Sequence, residues 1–326
     1  MRNWRVYIYL LLITFASCKA ELRELCLDHS HSANVSVAFD WQQAPQMNPQ
    51  GMTVLFYNQQ QPAAEPERYD FTGTAGGNAR LLAAPYQAVA YNYDTETILY
   101  RSDGTPSSLE AYTRQSSIEE GTQMAIATRG YDMPRAPGAE SEPVVLEPDP
   151  LCGAISNTFL LGADGVQGIT LTPQMRTEEV IITIHHVPNL QYTSQFGGAV
   201  SGLAPSVYMA SGKVGSGSVT QAFTGNVVDD STIVMRLRIF GHCPQAEQGI
   251  HVPHLLTIYA ILADGSKWYH TQDVSAQMDE VAITPDEKTV VNIELDELPI
   301  PKPIVNGSGF QPTIDGWQGI EIEVGM

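Results

Sequence analysis

The chain has 326 residues and 43% hydrophobic content, enough to bury a sizeable core and long enough for two domains. Charged residues make up only 16%, with 36 Asp and Glu against 17 Lys and Arg and a formal net charge of -19. Phosphate backbones and anionic lipid surfaces repel so acidic a body, which sets nucleic-acid binding aside.

Arg2 and Arg5 precede an apolar run, Val6 to Ile13, that is too short for a transmembrane helix and ends in Thr14-Phe15-Ala16-Ser17-Cys18. This is the layout of a secretory signal. Ala16 and Ser17 directly before Cys18 resemble the lipobox of bacterial lipoproteins, with Thr14 or Phe15 standing where Leu is usual. The resemblance implies that residues 1–17 are removed and that Cys18 becomes an N-terminus acylated on its sulfur and its amine, a membrane tether. The other reading is an ordinary export signal cut near Ala20. One acyl chain gives reversible attachment and two or more a lasting one. Residues 18–33 are expected to be a polar tether, and Glu21 and Glu24 in it resemble the signal that sends some Gram-negative lipoproteins to the outer face of the outer membrane.

Ordered structure is expected from Asn34, where Val35, Val37, Phe39 and Trp41 alternate with Ser36, Ala38 and Asp40 in the period of a half-buried strand. Pro45 and Pro49-Gln50-Gly51 break the run, and Met52 to Tyr57 resumes it as a nearly continuous apolar strand. Short β-rich runs follow at Tyr69 to Thr72, Gln87 to Tyr93 and Ile98 to Arg101. Ser107-Ser108-Leu109-Glu110 has capping-box spacing and predicts one short helix. Pro134, Pro137, Pro143, Pro148 and Pro150 then crowd around Val144-Val145-Leu146, where at most an edge strand fits. That stretch predicts a semi-rigid linker with a domain boundary at residues 147/148.

Beyond it the β pattern strengthens. Val180, Ile182 and Ile184, and later Ile233, Met235, Leu237 and Ile239, show clean alternation. Leu255 to Leu262, Asp264-Gly265 and Lys267 to His270 read as a hairpin. Asp273 to Asp279 gives at most a helical turn, and Val291, Ile293 and Leu295 face inward. Ile320, Ile322 and Val324 alternate with Glu321 and Glu323, a strand with two possible homes: the edge of its own sheet or a groove on a neighbouring molecule. Many short strands with almost no helical periodicity predict an all-β protein of two tandem β-sandwich domains, residues 34–147 and 148–326.

Phe39-Asp40-Trp41 with Ala44-Pro45, Gly51-Met52 leading into Val54 to Tyr57, and Gly309-Phe310-Gln311-Pro312 with Asp315-Gly316-Trp317 resemble a family of Bacteroidales lipoproteins related to fimbrillins and to minor fimbrial anchor proteins. The resemblance covers most of the chain after the signal. It implies two transthyretin-like, fimbrillin-like sandwiches behind a lipobox, partners that are fimbrial subunits joined by strand addition, and a role in assembly, anchoring and cell adhesion.

No constellation in the chain carries chemistry. His29 and His31, His185 and His186, His242 beside Cys243, and His251 with His254 lack the complement of a zinc set, so no metal or cofactor is expected. His251 and His254 beside His242 are the ones to examine for an adventitious ion. Gly215-Ser216-Gly217-Ser218 is no nucleophile elbow, Gly76-Gly77 lacks the helix of a phosphate cradle, and Glu119-Glu120, Glu178-Glu179 and Asp229-Asp230 read as solvated pairs. The expectation is a non-enzymatic protein. Cys26, Cys152 and Cys243 are odd in number; Cys152 with Cys243 is the pair to test, and three thiols is the other reading. The rival function is a lipid-anchored carbohydrate-binding surface protein, with Trp268, Tyr269 and His270, or Tyr91, Asn92, Tyr93 and Asp94, as a sugar platform. A platform requires water-facing rings; an assembly subunit requires an open groove or a displaceable terminal strand.

Overall fold

Alternation builds the first strand in the structure, a computed structural model that describes residues 32–124, 132–162, 166–242, 252–283, 289–303 and 317–319. The expected signal, Cys18, Cys26, His29, His31, Cys243, His251 and the alternating residues from Ile320 onward lie outside that range. In β1 (Ser32–Phe39) Val35 and Val37 are buried while Asn34 and Ala38 are exposed. The strand also takes in Ser32 and Ala33, assigned above to the tether, because they pair with Leu82 and Leu81.

β1 is the middle of a three-stranded sheet, with β4 (Gly76–Leu82) antiparallel on one side and β11 (Val166–Leu171) parallel on the other. A second sheet faces it, in the order β12 (Gln174–Met175), β9 (Cys152–Ile155), β5 (Pro85–Asn92), β2 (Gly51–Asn58) and β3 (Glu67–Thr72), with β10 (Phe159–Leu160) also paired to β5. Val35 and Val37 meet Met52, Val54, Phe56, Tyr86, Ala88 and Ala90 in the core between them. Leu55, Tyr57, Val89 and Tyr91 point the opposite way. They pack against a third sheet of β6 (Ile98–Arg101), β7 (Glu110–Thr113) and β15 (Ser206–Tyr208). β2 is therefore covered on both faces, which is why its sequence is an almost unbroken apolar run.

The second sandwich is one sheet folded over its own core. Its order is β20 (Val281–Ile283), β21 (Thr289–Asp296), β13 (Glu178–His185), β17 (Ile233–Ile239), β16 (Val219–Val227), β14 (Thr193–Leu203), β18 (Leu255–Leu262), β19 (Lys267–Asp273) and β22 (Trp317–Gly319). β16 turns the corner: Val219 to Thr224 run beside β14, and Gly225 to Val227 run beside β17. The alternating residues of β13, β17 and β21 face inward as expected and meet Leu256, Ile258, Ala260 and Trp268. The expected hairpin joins β18 to β19, with Gly265 in the left-handed region at φ 81. β8 (Val144–Val145) is the one short strand of the proline-rich stretch, lying parallel to Thr220 and Gln221 of β16.

The sheets divide the chain differently from the expected line at 147/148. β9 to β12 return to the first sandwich, with Ala90 opposite Ala154 and Val37 opposite Ile169, while β15 crosses back to the sheet of β6 and β7. The prolines mark an excursion of the chain over β16, and the first core closes only when β9 and β11 come back to flank β5 and β1. The helix expected at Ser107 to Glu110 is also corrected. Ser108 Oγ accepts from Thr105 N and donates to Ser102 O, closing a turn, and Glu110 opens β7. The helical turn is Ile118–Gly121, where Ser117 accepts from Glu120 N at the same spacing.

Glu110 joins all three strands of the third sheet. Its carboxylate accepts a two-pronged 2.7 Å contact from Arg101 on β6 and a hydrogen bond from Ser206 on β15. The Arg101 fork, helped by Ser206, holds the carboxyl below the usual range against the opposing effect of burial. A carboxyl depressed in the folded state adds stability above its unfolded pKa and gives it up as pH falls through the folded value. Glu110→Gln is expected to lose about 2 kcal/mol at neutral pH. In urea titrations across pH, its gap from the parent should narrow below about pH 4. A gap that stays constant with pH would show that the charge of Glu110 is not the cause.

Candidate functional site

Among the described residues, two strands of the first sandwich have no neighbouring strand along all or part of one side. β11 is the edge of the sheet it shares with β1 and β4. β9 pairs with β5 through Gly153, Ala154 and Ile155, but with β12 only through Cys152 and Gly153, so past Gly153 its outer side carries no described strand. These edges belong to opposing sheets and meet at one rim, around a groove of about 440 Å³ lined by Ala154, Ile155, Phe159, Gln167, Ile169 and Gln174 among others.

Soluble proteins usually blunt such edges with charge, proline or a bulge. Here the β11 residues Val-Gln-Gly-Ile-Thr-Leu carry no charge, and a side chain placed at Gly168 would meet nothing within 4 Å. Arg176 is the one charged residue lining the groove, and it is buried, with Nε donating to Met209 O at 3.0 Å. Burial pulls its guanidinium below the ordinary arginine value. Ile155 is 40% exposed and Phe159 lines the groove with it, so the rim offers apolar side chains beside backbone hydrogen-bonding groups. An extended segment is the ligand that this chemistry accepts: its main chain adds to the ladder and alternate side chains find the apolar spots.

The residues singled out from the sequence fall elsewhere. The sugar platforms are corrected: Trp268 is 1% exposed in the second core, and Tyr91, at 6%, packs against Tyr100 with ring centroids 4.3 Å apart. Asn92 is buried with its amide bound to Pro150 O and Asp94 and its oxygen accepting from Cys152 N. His270 stacks on Trp268, leaving no cluster of water-facing rings at either place among the described residues. Cys152 is a buried thiol pushed up to about 12 by desolvation, and its suggested partner Cys243 lies outside the described residues. His185 and His186 each meet a carboxylate of β21, Glu294 at 2.8 Å and Asp296 at 2.5 Å. Glu178, read as one of a solvated pair, is half-buried, and burial pushes its carboxyl up. His242 and His254 do come together. The groove itself was missed: β9 and β11 are short, and the boundary drawn before them assigned both to the wrong sheet.

Similarity to known proteins extends over most of the chain. Residues 17–224 match the family described as "Domain of unknown function (DUF5119)". A Bacteroides ovatus protein named "Putative fimbrium anchoring subunit Fim4B" is 23% identical over 351 residues, 97% of this chain and 97% of that one. The crystal structure of a "putative adhesin" from Bacteroides ovatus has a TM-score of 0.55 at 19% identity, covering 82% of this chain and 94% of that chain, and shares the fold. The fimbrial anchor protein Mfa2 from Porphyromonas gingivalis gives 0.48 at 13% identity, over 81% and 90%. The family match runs from residue 17 through the whole first sandwich and into β16, more than half of the sequence, and the chain belongs to the DUF5119 family.

Proposed function

We propose that this protein is an outer-membrane lipoprotein, held at the cell surface through acylated Cys18, that anchors a fimbria-like assembly by receiving an extended segment of a fimbrial subunit between β9 and β11. The observation that carries the reading is the pair of uncharged, facing open edges at one rim of the first sandwich. The anchoring name of the Bacteroides ovatus relative points the same way. Among the described residues no helix is long and apolar enough to cross a membrane, and lipid on Cys18 supplies the attachment instead. β22 pairs with β19 of the same molecule. Contact is the work of such a protein, and two of the rings that a sugar-binding role would use, Trp268 and Tyr91, are buried.

Affinity recovery of the full-length protein from detergent-solubilised membranes tests this directly. Fimbrial subunits are expected to co-purify with the parent. Ile155→Lys changes a side chain 40% exposed at the groove and is expected to leave stability within about 0.5 kcal/mol of the parent. A charge without a partner inside the occupied groove should lower co-recovery by about tenfold or more. Recovery of the parent as a lone monomer, or full recovery of partners by Ile155→Lys, counts against the proposed role.

A further inference from the structure

His242, His254 and Asp279 arrive from three separate segments: just past β17, just before β18, and the end of the helical turn Ser275–Met278. Their donor atoms all lie within 4.8 Å of one another. His254 is buried and firmly placed. Its N–H donates to Ser275 Oγ at 2.8 Å, its carbonyl accepts from Val274 N at 2.9 Å, and its Nδ1 stands 3.2 Å from the Ser201 carbonyl. A carbonyl only accepts, so Nδ1 carries the hydrogen and the neutral ring turns its Nε2 lone pair the other way. That lone pair faces His242 Nδ1, 3.1 Å distant.

On the far side of the His242 ring, Nε2 lies 4.0 Å from Glu178 Oε2, a buried oxygen with no hydrogen-bond partner among the described residues. With its hydrogen on Nε2, toward that carboxyl group, His242 turns its Nδ1 lone pair to the same point as His254 Nε2. At this separation the two nitrogens can share either a hydrogen or a metal ion. Two imidazole nitrogens bound at about 2.0–2.1 Å to one tetrahedral ion stand roughly 3.3 Å apart, close to what is seen. A carbonyl on the outer nitrogen of one ring and a carboxylate near that of the other is the usual second layer around metal-bound histidines. Gly202 helps to make the room, since a Cβ there would come within 2.7 Å of Pro253 O and 3.2 Å of His254 Nδ1.

We propose that His242, His254 and Asp279 form a binding site for a borderline transition-metal ion, Zn²⁺ above all, oriented by Ser201 and Glu178 and leaving a fourth position for water. Two imidazoles and a carboxylate suit that ion. Exposed Asp279 gives access from solvent. The site fastens the end of β17 to the start of β18 and to the turn that follows β19, so the bound ion acts as a staple on the second sandwich. It is independent of the groove in the first.

The test uses the full chain stripped by a chelator and titrated with ZnCl₂ in a calorimeter. One equivalent is expected to bind and to raise Tm, and Co²⁺ is expected to give the visible bands of a four-coordinate site. Asp279→Ala, at an exposed position, and His242→Gln should each weaken Zn²⁺ binding by about tenfold or more, with the metal-free Tm of Asp279→Ala unchanged. Should His242→Gln fail to fold, Asp279→Ala carries the comparison alone. No binding by the parent would mean that a shared proton joins the two rings, and unchanged affinity in Asp279→Ala would place the ion elsewhere; either result overturns the proposal.

Discussion

Cys18→Ala is expected to transfer the protein from the membrane fraction to the soluble one almost completely. Each methylene buried in a bilayer contributes about 0.8 kcal/mol, so losing a diacylated cysteine removes on the order of 20 kcal/mol of attachment. What is left is an acidic body, formal net charge -19 for the whole chain, which anionic lipid headgroups repel. Ultracentrifugation of lysed cells gives the partition, and mass spectrometry of the N-terminal peptide gives the modification. Retention of Cys18→Ala in the membrane, or an unacylated N-terminus at another residue, removes the tether from the proposed function while leaving the groove to be judged on its own experiment.

The second large effect belongs to the first core. Phe56 has no exposed surface, and its ring stands edge-on to Tyr69 at 5.9 Å and to Tyr86 at 6.4 Å, where the two sheets of the sandwich meet. Phe56→Ala deletes the ring and leaves a cavity that rigid strands on both sides fill poorly, at a cost of about 3–5 kcal/mol. Domains are stable by only about 5–15 kcal/mol, so the urea midpoint should fall steeply. Leu99→Ala, at a side chain 43% exposed on β6, is expected to change stability by less than about 0.5 kcal/mol. Equal midpoints for the two variants would mean that Phe56 does not occupy the core.

How much of this could be read from the sequence depended on which faces a strand covers. β1, β13, β17 and β21 have one wet face, and Val35, Val180, Met235 and Ile293 declare it by alternation. β14 and β16 give no such sign, although they lie at the centre of the sheet that forms the second sandwich. Where a Cβ would stand on Gly197 or Gly198 of β14, Thr122 Cβ or the Phe223 ring already sits 2.9 Å away, so close packing has replaced side chains with glycine and erased the pattern. β4 is obscured similarly: at Gly76, with φ 93, a Cβ would come within 2.2 Å of Val37 O. The groove was illegible because its edges come from segments after the prolines, and sheet order does not follow chain order. Tyr91 misled for a related reason, since β5 is covered on both faces and a ring with polar neighbours in sequence is still a core residue there, while Trp268 lies on the inward face of β19.

The direction of one strand pair has a mechanical meaning. β1 and β11 run the same way through the pairs from Asn34 and Val166 to Phe39 and Leu171. The chain enters at the start of β1 and leaves for the second sandwich beyond the end of β11. Tension between those two points drags the strands lengthwise past each other, so their cross-links share the force at once instead of unzipping singly. Rupture under load depends on the height of the unfolding barrier more than on equilibrium stability. Stretching between the start of β1 and the second sandwich thus loads this pair in shear, the direction in which it is toughest.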